Sequence, residues 1–258
     1  TQGGPGEVDP RVVQFEADSE RYYRRNFFAG LVHGVFFQAS AAFGSIHTVL
    51  PSFVALLTPS TVAVGLMAAV QGVGEIVPQM FTAYLIEDRA RKKPYLLAII
   101  TVRWISWAVL AYLTYRYGLS NPGLVLAVLL ILFGVFSLAG GMGTVVYADI
   151  FSKAIPAQRR GRFVGLRQLI GYLMAIGAGY VVKFILDDPD RFPFPDNYAV
   201  IFALSAVLLG VAFTGFALIR EPVYPSQRMS RSLGDLLRRA VVLARQNPNF
   251  RRLLGARA

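Results

Sequence analysis

The chain has no cysteine and only two histidines, His33 and His47. The missing cysteines exclude disulfides, thiol nucleophiles and cysteine-ligated metal. Two histidines leave little scope for a metal centre, and no cofactor or metal is expected. Charge is scarce as well: only 16% of the residues are Asp, Glu, Lys or Arg, and acids are fewer than bases, 15 against 26. A soluble domain carries about 25% charged residues, so this composition excludes an ordinary soluble surface. Segments of alternating polar and apolar residues are also absent, which excludes a membrane β-barrel.

Long apolar runs are present instead. Hydrophobic residues make up 55% of the chain, and mean hydropathy is +0.49. Six runs stand out, near 27–49, 62–86, 95–117, 123–147, 164–186 and 198–219, each 22 to 25 residues long. About 20 helical residues cross the hydrocarbon core. The sequence therefore predicts an all-α membrane protein with six transmembrane helices, a 1–26 segment ahead of them and a 220–258 segment after them. No secretory signal precedes the first run, which is too long and lacks a cleavage site. The net charge of +11 does not imply nucleic-acid binding, because the basic residues punctuate apolar runs.

Those basic residues set an orientation. Four Lys or Arg precede the first run, four lie between the second and third, four between the fourth and fifth, and nine Arg follow the sixth. The other three connections carry few bases, and 187–196 is acidic through Asp187, Asp188, Asp190 and Asp196. Both ends are thus expected in the cytoplasm, in a multi-pass protein of the cytoplasmic (inner) membrane whose first partner is the lipid bilayer.

Ionisable groups inside such runs are functional candidates, because lipid penalises them. In the second run Gln71, Glu75 and Gln79 are spaced i, i+4, i+8, which draws one polar stripe along a helix. Glu75 lies 13 residues before Asp88, about 20 Å along the axis at 1.5 Å per residue. Arg103, in the third run, lies nine residues beyond Pro94, about 14 Å in from the same side. Glu75 is therefore either a proton or cation site or one half of a structural ion pair with Arg103. In the first run His33, Ser40, Gly44 and His47 share a face, and each histidine either binds a neighbour or lines a wet cavity. Gly30 and Gly34 form a close-packing GxxxG pair. The cluster Gly140-Gly141-Met142-Gly143 reads first as packing. Asp149 is expected to pair with one of the arginines that follow it, Arg162 among them, or to act in gating. Arg167 is expected to reach back toward the cytoplasm. Pro51 and Pro59 are expected to bracket a short external link.

The loop between the second and third runs resembles the signature of the major facilitator superfamily, G-x-x-x-D-[RK]-x-G-R-[RK]. Asp88, Arg89, Lys92 and Lys93 fall on the acid, the first base and the final basic pair, while Tyr84 and Arg91 replace the two glycines. Arg160-Gly161-Arg162 resembles a run found after the fourth helix of that superfamily. The proline-bearing glycine motif of drug–proton antiporters is absent from Gly177-Ala178-Gly179-Tyr180. The resemblance implies the amino-terminal six-helix half of a transporter, with 220–258 as an amphipathic cytoplasmic linker to a second six-helix bundle of the same polypeptide. A first residue other than Met and the run Asn247-Pro248-Asn249-Phe250 fit that expectation of a fragment. The resemblance also implies that helices one, two, four and five line the cavity, so that Gln71, Glu75, Gln79, His33 and His47 form a substrate or ion path. Asp88, Arg89, Lys92 and Lys93 would then form a conformational latch. The expected function is secondary transport of a small-molecule substrate, not enzymatic. The alternatives are a membrane sensor or scaffold, or an intramembrane hydrolase using Ser40, Ser45, His33 and His47, for which no nucleophile motif is present.

Overall fold

Helices account for the secondary structure throughout the described residues, and the polar breaks decide where each helix stops. The structure, a computed structural model, describes residues 10–86 and 89–223. Its helices are α1 (Pro10–Phe43), α2 (Val49–Leu57), α3 (Thr61–Ile86), α4 (Lys93–Tyr117), α5 (Pro122–Ala154), α6 (Ala157–Leu186) and α7 (Asp196–Ala217). All but α2 are long and apolar enough to cross a membrane, so the chain is a six-span multi-pass membrane protein by length and composition.

Local chemistry explains the ends. Asn121 caps α5 by accepting from the Leu124 N–H at 3.0 Å, and Pro122 follows at the first helical position, where its missing N–H costs nothing. Pro156 stops α5, because the residue before a proline avoids the helical region; Ile155 is extended at φ −121°, ψ 118°. No such breaker lies within 148–154 or 157–163. The connection between the fourth and fifth apolar runs is therefore the continuation of α5 and α6 around the sharp turn at Ile155-Pro156. Likewise α1 starts at Pro10, well ahead of the apolar run it becomes.

The link between Pro51 and Pro59 is not simply a loop. Pro51 falls in the first turn of α2, where a proline is tolerated. Val49, Leu50, Phe53 and Val54 lie on one face and are buried, with Phe53 against Tyr198 and Phe202 at centroid distances of 4.9 and 5.0 Å. This face closes the acidic end of the bundle.

The long helices pack in the order α3, α5, α4, α7, α1, α6, each chiefly against its neighbours in that series. Exchanging α1 with α5, α3 with α6 and α4 with α7 maps the series onto itself reversed. The pattern is therefore that of two three-helix repeats running in opposite directions. Helices α3 and α6 stand at the two ends of the series, and α1 and α5 touch each other only slightly.

Two hydrophobic clusters hold the bundle. One, toward the acidic end, contains Phe43, Leu50, Trp107, Leu129 and Phe202. The other, toward the basic end, contains Phe27, Leu96, Ile150, Phe163 and Phe216. Buried Asn26 knits the basic end together: its side-chain amide donates to the Arg220 carbonyl at 2.9 Å and its oxygen accepts from the Arg220 N–H at 2.8 Å.

Candidate functional site

The two clusters do not meet on every helix. His33 on α1, Glu75 on α3, Arg103 on α4 and Arg167 on α6 each fall between residues of one cluster and residues of the other. They form a polar layer at mid-depth. Arg103 lies ten residues beyond Lys93 and Arg167 ten beyond Ala157, so both are about 15 Å in from the basic end.

Two compartments open in this layer. One, of about 300 Å³, is lined by Ser40, Gly44, His47, Gln71, Glu75 and Trp107 among others. The second, of about 170 Å³, is lined by His33, Thr144, Tyr147 and Arg167 with Leu96, Ile99 and Ile100. Phe37, Arg103, Gly140 and Leu209 line both, so the Arg103 guanidinium stands at the partition. A larger groove of about 730 Å³ between α4 and α7 is lined mainly by alanines and aromatics and carries no basic residue.

The Gln71–Glu75–Gln79 stripe is a connected unit. Gln71 donates to the Glu75 carboxylate at 2.9 Å, and Gln79 donates to the Glu75 carbonyl at 2.5 Å. Pro78 removes the N–H that would bond the Gly74 carbonyl, and this carbonyl faces Gly141 of α5. Gly74 and Gly141 thus bring α3 and α5 into backbone contact, which sets Glu75 against the compartment wall. His33 satisfies the structural reading: its Nδ1 is 3.0 Å from the Ala212 carbonyl. His33 also lines the smaller compartment, so both readings meet in one residue. His47 lies beyond the end of α1, exposed in the turn to α2, and lines the larger compartment. Ser40 joins α1 to α7 through reciprocal hydrogen bonds with Ser205 at 2.9 and 3.0 Å.

The expected pair of Glu75 with Arg103 is not made. Four ion pairs form among the described residues: Lys92–Asp149 at 3.1 Å, Lys153–Asp149 at 2.5 Å, Arg159–Glu20 at 3.5 Å, and Lys183–Asp187. Arg103 instead lies over the Phe136 and Phe37 rings, 4.0 and 5.1 Å from their centroids. Asp149 pairs with two lysines rather than with Arg162, which is exposed. Lys153 sits one helical turn beyond Asp149, and Lys92 arrives from the α3–α4 loop, a contact that spacing alone does not reveal.

Arg167 turns inward, against the expectation that it reaches out to water. Its stem lies across Gly34, where any Cβ would overlap it, and its guanidinium carbon is 5.2 Å from the Tyr147 ring centroid. The Nε atoms of Arg103 and Arg167 and the Tyr147 hydroxyl are all buried without a hydrogen-bond partner. A cation at mid-bilayer costs about 2.5–3.5 kcal/mol on insertion scales, whereas one cation–π contact returns about 0.5–2 kcal/mol. The single Tyr147 ring therefore offsets only part of the cost of the Arg167 guanidinium, while the two rings at Arg103 offset more of that side chain's cost.

The basic loop is tied into its own bundle. Glu221 accepts from the backbone N–H groups of Lys92 at 2.9 Å and Lys93 at 2.8 Å, capping the start of α4. Lys93 Nζ in turn donates to the Ala217 and Ile219 carbonyls at 2.6 and 2.7 Å, capping the end of α7. Arg89 is exposed, 5.7 Å from the Tyr95 ring centroid. Asp88 lies outside the described residues, as does the amphipathic stretch expected beyond residue 223. Among the described residues no group of His, Asp and Glu is arranged to hold a metal ion.

No family model, no characterised protein and no solved structure matches this chain.

Proposed function

We propose that this chain is one six-helix bundle of a secondary active transporter of the major facilitator type. In this reading it moves a small-molecule solute across the cytoplasmic membrane by alternating access, with both ends in the cytoplasm. The observation that carries the proposal is the polar layer: two joined compartments at mid-depth, lined by Glu75, Arg103 and Arg167, in helices that are otherwise apolar. Charges at that depth are retained where a solute or ion path needs them. The reversed three-helix repeat in the packing order supports the same reading, because transporters of this kind bind at the midplane between inverted repeats.

A second six-helix bundle of the same polypeptide would face α1, α3, α5 and α6. In support, a Cβ added at Gly65 or Gly72 of α3, or at Gly161, Gly165, Gly177 or Gly179 of α6, would meet nothing within 4 Å. Small residues in such positions let a further helix approach closely. Asp88, Arg89, Lys92 and Lys93 would act as the cytoplasmic latch, with Lys92–Asp149 joining the loop to α5.

Glu75 is the proposed proton site. Uptake of radiolabelled organic acids, amino acids and sugars into proteoliposomes carrying the whole polypeptide, with both bundles, across a range of pH, tests the reading. Wild type is expected to accumulate at least one of them with a pH dependence that Glu75→Gln abolishes. Unchanged pH-coupled uptake in the variant would remove Glu75 from the mechanism, and accumulation no greater than in protein-free vesicles would sink the transport reading.

A further inference from the structure

The smaller compartment holds more positive charge than the protein neutralises. Arg103 enters it from α4 and Arg167 from α6, and neither forms a hydrogen bond or ion pair with a described residue. The hydroxyl of Tyr147, which lines the same compartment, is likewise without a partner. Both guanidiniums are seated rather than loosely placed. Gly34 leaves room for the Arg167 stem, and the Arg103 guanidinium lies over Gly140, whose added Cβ would be 3.5 Å from it. Buried donors are ordinarily satisfied, so three residues with unsatisfied donors around one 170 Å³ space point to an acceptor that the bundle itself does not supply.

We infer that Arg103, Arg167 and Tyr147 form a receptor for the carboxylate of a small organic anion. A guanidinium presents a planar fork of N–H donors that matches a carboxylate in two-point contact. The charge balance favours a single negative charge. Two guanidiniums and the Glu75 carboxylate leave one net positive charge across the joined compartments, which one carboxylate neutralises and a phosphate dianion would overshoot. Apart from His33 and Thr144, the remaining side chains of the wall, Phe37, Leu96, Ile99, Ile100 and Leu209, suit an apolar body behind that head group. This inference deepens the transport reading by naming its cargo class, and it rests on that reading only for what happens to the anion after it binds.

Equilibrium dialysis of the full chain in detergent, without any membrane gradient, provides the test. The probes are radiolabelled benzoate, its uncharged isostere benzamide, and inorganic phosphate as competitor. Saturable benzoate binding with no benzamide binding is expected. Arg103→Gln and Arg167→Gln should each weaken it at least tenfold, Tyr147→Phe severalfold, and Arg167→Lys less than Arg167→Gln. Equal binding of benzoate and benzamide by the unaltered protein would overturn the inference and needs no variant to fold. So would an Arg167→Gln protein that melts like wild type and binds benzoate equally well, or phosphate that displaces benzoate more strongly than benzoate displaces itself. Because no transport is measured, failure here leaves the transport reading standing, and absent uptake leaves this site standing.

Discussion

Replacing Gly141 with alanine should loosen the bundle, whereas the same change at Gly140 or Gly143, its near neighbours on α5, should not. At Gly141 the new methyl would lie 2.7 Å from the Glu75 carbonyl oxygen and nearer still to that of Gly74. Both are backbone atoms of α3, so relief requires the helix to move by more than half an ångström. Overpacking of this kind costs about 1–3 kcal/mol, and the contact with fixed backbone belongs at the upper end. The gain in helix propensity from glycine to alanine returns about 1 kcal/mol, leaving a net loss of about 2 kcal/mol. For a protein of this size that corresponds to about 4–8 °C in apparent Tm. At Gly140 the methyl would meet only the Arg103 guanidinium, at an ordinary 3.5 Å, so G140A should melt at or slightly above wild type. At Gly143 the contact is 3.2 Å to the Ile99 side chain, which can give way, so G143A should fall within about 0.5 kcal/mol of wild type once propensity is included. The assay is thermal melting in detergent at a fixed scan rate, read through Trp104 and Trp107, the only two tryptophans. A G141A protein as stable as G140A would refute the claim that α3 and α5 meet backbone to backbone at this glycine.

Two further predictions concern the ends of the bundle. The absence of native cysteine makes any introduced cysteine a unique label: in intact cells a membrane-impermeant maleimide should modify Ser60→Cys and Asp190→Cys, but modify Arg91→Cys only after permeabilisation, and the reverse pattern would invert the proposed orientation. Lys93→Met removes the donor to the Ala217 and Ile219 carbonyls and should cost about 1.5–3 kcal/mol, as for hydrogen bonds to a charged group; Arg162→Met, on an exposed side chain, should change the melting temperature by less than a degree or two, within the roughly ±0.5 kcal/mol usual for surface substitutions.

Much of the fold was legible in order along the chain. The six spans, their spacing and the segregation of bases to alternate connections are one-dimensional facts, because a bilayer selects for run length and loop charge. The depth of Glu75 and Arg103 was legible for the same reason, since a helix converts residue number to distance at a fixed rise. Helix ends were less so: α1, α5 and α6 run past the apolar segments because polarity ends a membrane span without ending a helix. The Pro51 to Pro59 link conceals α2 because prolines ordinarily mark boundaries, although Val49, Leu50, Phe53 and Val54 carry a helical face.

The linear order of residues therefore marks which side chains are costly in lipid and roughly how deep each one lies. Which of them meet was decided by tertiary structure alone. Glu75 and Arg103 differ in depth by only about 6 Å and carry opposite charges, yet Arg103 stacks on Phe37 and Phe136 while Glu75 takes its hydrogen bond from Gln71. Asp149 finds Lys92 because α4 packs against α5. Arg167, whose place near the start of its apolar run suits a snorkelling side chain, points inward because Gly34 on another helix leaves it the space. Rotation about each helix axis and the order in which helices pack decide those contacts, and neither is a property of any single run.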